Sequence, residues 1–184
     1  MNLRFNFERT LQASAYLLRL DGKRMGYLRL LKLLYIADRE WLAGTGESIT
    51  GDRVHAMKYG PVLSNVYDLI KGNGSKAGVW DDYIHNEGYA VKLVADPGRG
   101  DLSKGIVSKL TEVTERYRDI DDWELSERTH EFKEWVSHYS PERTSVPIPW
   151  QDVLEAQGKP EMIPAVERDE AARQVFDDVF GPEP

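Results

Sequence analysis

Two titratable residues, Asp38 and His130, occupy positions where their chemistry would matter. Asp38 follows Leu34 by four residues and precedes Trp41 by three, so it falls within the apolar stripe of a predicted helix. A buried carboxylate without a partner is very costly, so Asp38 must be hydrogen-bonded or paired with a cation. It is therefore either a structural acid, capping a backbone turn or meeting a Lys or Arg, or a binding or catalytic acid.

His130 begins the segment 130–134, which approaches the His-Glu-x-x-His zinc pattern but lacks the second histidine. His130, Glu134 and His138 share one face of a predicted helix, but successive turns of one rigid helix give poor tetrahedral geometry. We therefore expect no metal and no cofactor. His130 is interpreted as a core histidine whose ring bonds a backbone carbonyl or hydroxyl, with a catalytic base as the alternative.

The elements that must position these residues are mostly helical. Apolar residues at helical spacing predict helices over 7–21, 25–43, 61–71, 102–118, 122–137, 150–157 and 165–179. Helix 25–43 is apolar on a wide surface, which is typical of a central helix. Alternating residues in 79–95 predict a β-hairpin, and 47–60 reads as irregular or short-strand. The expected fold is mainly α (α+β), with about six to seven helices and a small antiparallel hairpin or sheet.

Composition excludes several classes of protein. The 184 residues include no cysteine, which rules out disulfides, thiolate metal sites and a cysteine nucleophile. The apolar runs are too short to span a bilayer, and the N-terminus lacks the apolar region of a signal peptide, so we expect a cytoplasmic protein without membrane contact. The net charge of -7 counts against nucleic acid as a partner.

The charge is unevenly distributed along the chain. Residues 1–60 carry a net +4, residues 61–160 a net -6 and residues 161–184 a net -5. The basic first third is either a solvated helical face or a patch for an acidic protein; DNA binding by this third is a further interpretation. The last residues form an acidic appendage.

Three segments carry a resemblance. They are Leu31–Arg39, Ala56–Val62 and Trp123–His130, the last followed by Trp135. In this order and spacing they resemble the Panacea domain of SocA-like antitoxins and phage-associated GepA-like proteins, over roughly residues 5–155. The positions that carry the likeness are Lys32, Tyr35, Asp38, Lys58, Gly60, Pro61, Thr129, His130 and Trp135.

The resemblance implies a mostly helical domain, which we expect over residues 1–158. The acidic extension over 159–184 lies beyond the part that the family shares, and its apolar spacing predicts one helix. It implies an antitoxin, not an enzyme, which neutralises a cognate protein toxin by direct binding. The antitoxin either covers the toxin's active surface or presents the toxin to a protease, and a protease or chaperone is then a further partner. The motif residues then form a scaffold. We hypothesise that Asp38 holds the 56–62 turn against the central helix, with Lys58 or Arg39 as its partner.

Candidate partner contacts lie in three places. They are the basic N-terminal residues Arg4, Arg9 and Arg19, the hairpin residues Trp80 and Tyr83, and Phe180 in the acidic tail. The alternative function is a small hydrolase or nucleotide-processing enzyme in which Asp38 and His130 converge on a pocket. A cleft joining these two side chains would favour the enzyme, and their separation would favour the binding protein.

Overall fold

The computed structural model describes residues 3–180, apart from the side chains of Asp177 and Phe180. Within this range the chain forms nine α-helices and two small β-sheets. The helices are α1 Phe7–Leu20, α2 Tyr27–Thr45, α3 Ser64–Ile70, α4 Ala77–Asp81, α5 Lys104–Arg116, α6 Asp122–Thr129, α7 Lys133–His138, α8 Trp150–Ala156 and α9 Ile163–Phe180. The strands are β1 Arg24–Gly26, β2 Val54–Met57, β3 Gly60–Leu63, β4 Ile84–Glu87, β5 Ala90–Leu93 and β6 Val146–Ile148.

Helix α2 is the centre of the fold. Every residue from Leu30 to Asp38 is buried, on all sides of the helix. A helix that is apolar nearly all round must be enclosed by its neighbours, and α1, α5, α6 and α8 all pack against it. The predicted central position of this helix is confirmed.

Each sheet has three antiparallel strands. One has the order β1-β5-β4 and the other β3-β2-β6. In the second, Met57 pairs with Gly60 across a two-residue turn formed by Lys58 and Tyr59. The fold is therefore mainly α with a small antiparallel β component, as predicted.

Three predicted elements differ from the structure. Residues 60–63 form strand β3, so Pro61 lies in a strand and α3 begins at Ser64. The predicted helix 122–137 is two helices separated by residues 130–132, and the first part of the predicted hairpin is α4. These differences depend on tertiary pairing, such as that of β3 with β2, which local periodicity does not report. They raise the number of helices above the expected six to seven.

None of the helices within residues 3–180 is long and apolar enough to cross a membrane.

Candidate functional site

The β2–β3 turn is held by side chains from three helices. Lys32 on α2 donates from Nζ to the Pro61 carbonyl oxygen at 2.7 Å. Ser126 on α6 donates to the Tyr59 carbonyl at 2.8 Å, and the Trp135 indole on α7 donates to the Met57 carbonyl at 3.0 Å. We call these three donors the turn clamp. Helices distant in sequence thus fix alternate carbonyls of one short turn.

Lys32 is the most unusual member of the turn clamp. Its side chain is fully buried, and burial lowers its pKa to about 7. Desolvation strongly disfavours a charged ammonium group unless an anion compensates it. The group that accepts the hydrogen bond from Lys32 is the neutral carbonyl of Pro61. Lys32 therefore links the central helix to the turn at a substantial electrostatic cost.

Gly60 allows the turn to approach α2 and α6 closely. Its φ is +92°, a conformation in the left-handed half of the map that favours glycine. A Cβ atom at Gly60 would overlap Thr129 Oγ1 and lie 2.9 Å from Lys32 Nζ. Thr129 itself donates to the Ser126 carbonyl at 2.7 Å. Any side chain at position 60 would therefore push the turn away from the clamp.

His130 lies beside the turn clamp and packs against its Trp135 ring. Its ring stacks on Trp135 with centroids 4.2 Å apart, and Nδ1 is 3.5 Å from Glu127 Oε1. The pKa of His130 is lowered, mainly by burial. Lys32 lowers it further, whereas Glu127 and the Lys58 carbonyl raise it in part. Within the described residues, the buried Nε2 atom has no hydrogen-bond partner. The sequence predicts a hydrogen bond from this ring to a carbonyl or hydroxyl. The Lys58 carbonyl is the group that lies near the ring and raises its pKa, but Nε2 forms no hydrogen bond to any described residue.

Asp38 does not hold the turn, so that hypothesis is wrong. Its carboxylate accepts hydrogen bonds from Ser48 Oγ and Ile49 N, both at 2.7 Å, and from the backbone and hydroxyl of Thr50. The reason lies at the end of α2, where Gly46 adopts φ +80° and brings loop 48–50 back over Asp38. Burial raises the pKa of Asp38, while these hydrogen bonds lower it.

The cations expected beside Asp38 have other partners. Lys58 Nζ lies 5.3 Å from the centroid of the Tyr59 ring. Arg39 donates from Nε to Glu134 Oε1 at 2.5 Å, and Tyr35 donates its hydroxyl to the same oxygen at 2.8 Å. The Glu134 carboxylate is fully buried, so it neutralises Arg39 and fixes α7 against α2.

The side chains of Asp38 and His130 contact different segments of the chain. Asp38 binds loop 48–50, whereas His130 packs against α7 and the turn clamp. A groove beside α6 is lined by His130 with Glu124, Glu127, Arg128 and Glu131, and Asp38 is not among its residues. Among the described residues, no group of three or more His, Asp or Glu side chains is arranged to hold a metal ion.

Asp52 is a structural acid that the sequence did not reveal. It accepts hydrogen bonds from Asn65 N at 2.9 Å, Asn65 Nδ2 at 2.8 Å and Val66 N at 3.0 Å, and so caps α3. Burial raises the pKa of Asp52 to about 6. A cap is normally sought directly before its helix, but Asp52 acts from the far end of the β2–β3 hairpin.

Two aromatic rings, one of them in the β2–β3 turn, lie together at the surface. Tyr59, in the turn, is 43% exposed, and Trp123, at the start of α6, is 57% exposed. Their rings meet edge to face with centroids 5.5 Å apart. We call Tyr59 and Trp123 the aromatic pair. Both lie in the motifs quoted above, yet only the fold shows that they are neighbours on the surface.

The three basic N-terminal residues that are predicted to contact a partner differ in their exposure and in their contacts within the chain. Arg19 pairs with Asp96 at 3.0 Å and donates to the Gly98 carbonyl at 3.2 Å. Arg4 is exposed and Arg9 half-buried; within residues 3–180, Arg9 Nε lacks a hydrogen-bond partner. None of these positions identifies a partner.

The other predicted contacts are less accessible or lie outside the described residues. Trp80 is buried because α4 directs its ring into the core, so the expectation that it contacts a partner is wrong. Tyr83 is half-buried and packs against the same core. The side chain of Phe180 lies outside the described residues.

The comparison with models of known protein families gives a match. The sequence model of the family described as "Antitoxin SocA-like, Panacea domain" matches residues 30–136. This range contains α2 from Leu30 onward, the turn clamp and the aromatic pair. Neither the curated proteins nor the solved structures yielded a match.

Proposed function

We propose, since the chain belongs to the family of SocA-like antitoxins with a Panacea domain, that it acts in the cytoplasm as an antitoxin. It neutralises a protein toxin by direct binding. The toxin is expected to be encoded by the adjacent gene, as in two-component modules of this kind.

The aromatic pair is the observation that supports a binding function. Large aromatic rings are usually buried, and those that remain at a surface are enriched in the energetic centres of protein interfaces. Tyr59 and Trp123 are exposed side by side, and the turn clamp fixes the backbone beneath Tyr59. A preorganised surface loses little entropy on association, which favours binding.

The buried polar residues support a scaffold more than a catalyst. The carboxylates of Asp38, Asp52 and Glu134 are all engaged in hydrogen bonds to their own chain. Asp38 and His130 lie against different segments, so no observation favours the hydrolase alternative. The polar motif residues of this domain are instead proposed to hold the surface that meets the toxin.

A growth experiment tests the proposed function. The product of the adjacent gene is expressed alone or together with the full chain, and the abundance of both proteins is measured. We expect growth arrest with the neighbour alone and normal growth with both, at an unchanged level of the toxin, because the antitoxin covers its active surface. Persistent arrest when both proteins are abundant would contradict an antitoxin function.

A further inference from the structure

The outward face of α6 leads from the aromatic pair to an open groove. Trp123 and Glu127 lie four residues apart, which places them on the same side of this helix. Glu127 Oε1 is 3.5 Å from Nδ1 of His130, the residue that directly follows the helix. Glu127 and His130 both line the groove beside α6. The groove therefore continues the surface on which Trp123 is exposed.

His130 stands at the end of a stack of rings. Within the described residues, Trp135 lies between two others, with its centroid 4.2 Å from that of His130 and 4.5 Å from that of Tyr139. The interplanar angles are 15° and 14°, and two rings so close to one centroid must lie on its opposite faces. The His130 side chain is 22% exposed. Since Trp135 covers one face of the His130 ring, the exposed part is the opposite face or edge, where the ring meets the groove.

Carboxylates outnumber cations in the lining of the groove. Glu124 already binds the one guanidinium there, since Arg128 Nη2 lies 2.7 Å from Glu124 Oε1. Glu131 is exposed and interacts with Arg128 beyond ion-pair distance. Glu127 lies beside His130, whose pKa burial lowers, so that this ring is largely uncharged at neutral pH. Among the described residues, Glu127 and Glu131 thus lack a cation of their own.

A guanidinium group fits this combination of a ring and two carboxylates. It is planar, stays charged, stacks on aromatic faces and can bind carboxylates through two parallel hydrogen bonds. An ammonium group supplies the charge but no flat surface. Arginine is also enriched among the residues that dominate the energy of protein interfaces. The charge and shape of the groove therefore favour a partner segment that carries an arginine.

We infer that an arginine side chain of the toxin docks in this groove, stacked on His130 and paired with Glu127 and Glu131. The inference rests on the proposed function, since it takes the toxin as the partner. It adds a charged contact beside the apolar contact at Trp123. It also gives His130, a position of the family motif, a place at the interface.

The first test removes the two carboxylates while keeping the size of their side chains. Glu127→Gln combined with Glu131→Gln is compared with Glu142→Gln combined with Glu155→Gln, in which two exposed glutamates of other segments lose the same charge. The affinity for the adjacent gene's product is measured by calorimetry at about 0.05 M and about 0.3 M salt. At low salt we expect the groove variant to bind at least about tenfold more weakly and the control to bind like the wild type. The affinity of the groove variant should also depend less on salt.

The second test identifies the docked group. Each arginine of the adjacent gene's product is replaced in turn by lysine, which keeps the charge but removes the planar fork. We expect one such replacement to weaken binding to the wild-type chain about fivefold or more. The same replacement should cause no further loss with the groove variant, because its partner groups are already absent.

Each contrary outcome has its own meaning. If the wild-type chain binds tightly and the folded groove variant binds equally well, the groove is not a toxin contact and the proposed function stands. An equal loss in the control would show an effect of total charge, not of the groove. If no arginine of the product is sensitive to replacement by lysine, the occupant is not a guanidinium. If the wild-type chain does not bind the product at all, the proposed function fails, and the inference with it.

Discussion

Lys32 Nζ and the Pro61 carbonyl oxygen form a buried hydrogen bond of 2.7 Å between residues 29 positions apart. The bond joins the central helix to the β2–β3 turn that carries Tyr59. Ser126 and Trp135 donate to the Tyr59 and Met57 carbonyls of the same turn. The turn clamp thus fixes the backbone of the turn that presents Tyr59 of the aromatic pair. Substitutions in the turn clamp should therefore displace the Tyr59 ring.

Replacement of Gly60 by alanine should be unusually destabilising. A residue with a side chain is strained at φ +92°, and its Cβ would overlap Thr129 Oγ1. Strain of this kind costs about 1 to 2 kcal/mol before any overlap is counted. Gly72→Ala is the matched control, since Gly72 has φ +77° with nothing within 4 Å of a Cβ. Urea unfolding should show a larger loss for Gly60→Ala; equal losses would mean that the turn is not tightly held.

Lys32 should make the stability of the protein depend on pH above neutrality. Its pKa is lowered from 10.5 to about 7 in the folded chain, so between these values the unfolded chain holds a proton that the folded chain lacks. The contribution of Lys32 therefore makes the unfolding free energy rise with pH across this window. In Lys32→Met this contribution is absent, and the unfolding free energy should rise less steeply.

Urea unfolding at about pH 7 and about pH 9.5 measures this slope. Lys92→Met is the control, because Lys92 is an exposed lysine on β5 and its loss should leave the wild-type slope unchanged. A Lys32→Met slope identical to that of the wild type would show that Lys32 is not desolvated as the structure indicates.

Loss of the Glu134 carboxylate should also be costly. Glu134→Gln leaves the partly buried Arg39 guanidinium without its counter-charge, and breaking such a buried pair costs about 3 kcal/mol. Glu115→Gln is the control, since it removes the partner of Arg118 in an exposed surface pair, which water and salt screen and whose loss should hardly change stability. Thermal and urea unfolding of both variants test the difference. Similar losses would refute a structural role for Glu134.

The sequence predicted the parts of the fold that depend on local periodicity. The apolar surface of α2 is continuous along the chain, so its central position could be inferred. The partners of its polar residues could not. Asp38 binds residues 48–50 and Lys32 binds Pro61, and both lie on segments whose approach depends on the whole fold. A carboxylate or an ammonium in an apolar stripe indicates that a partner exists but does not indicate which one.

The aromatic pair illustrates the same limit for function. Tyr59 and Trp123 are 64 positions apart, and nothing in the local pattern distinguishes an exposed aromatic residue from a buried one. Trp80 shows the opposite case: the sequence leaves open whether its ring contacts a partner or lies in the core, and the structure places it in the core. Resemblance located the motifs, whereas the hydrogen bonds from α2, α6 and α7 show that they meet at one turn.

The most direct test of the central claim is the affinity of Trp123→Ala for the toxin encoded by the adjacent gene. Tyr89→Ala is the control, because Tyr89 is an 89% exposed aromatic residue of another turn, the one between β4 and β5. Removing a central aromatic contact typically costs about 2 kcal/mol or more, which corresponds to about 30-fold in Kd. We predict that loss for Trp123→Ala, with unchanged unfolding and wild-type binding by Tyr89→Ala. Wild-type affinity of the folded Trp123→Ala variant would contradict the claim that the aromatic pair binds the toxin.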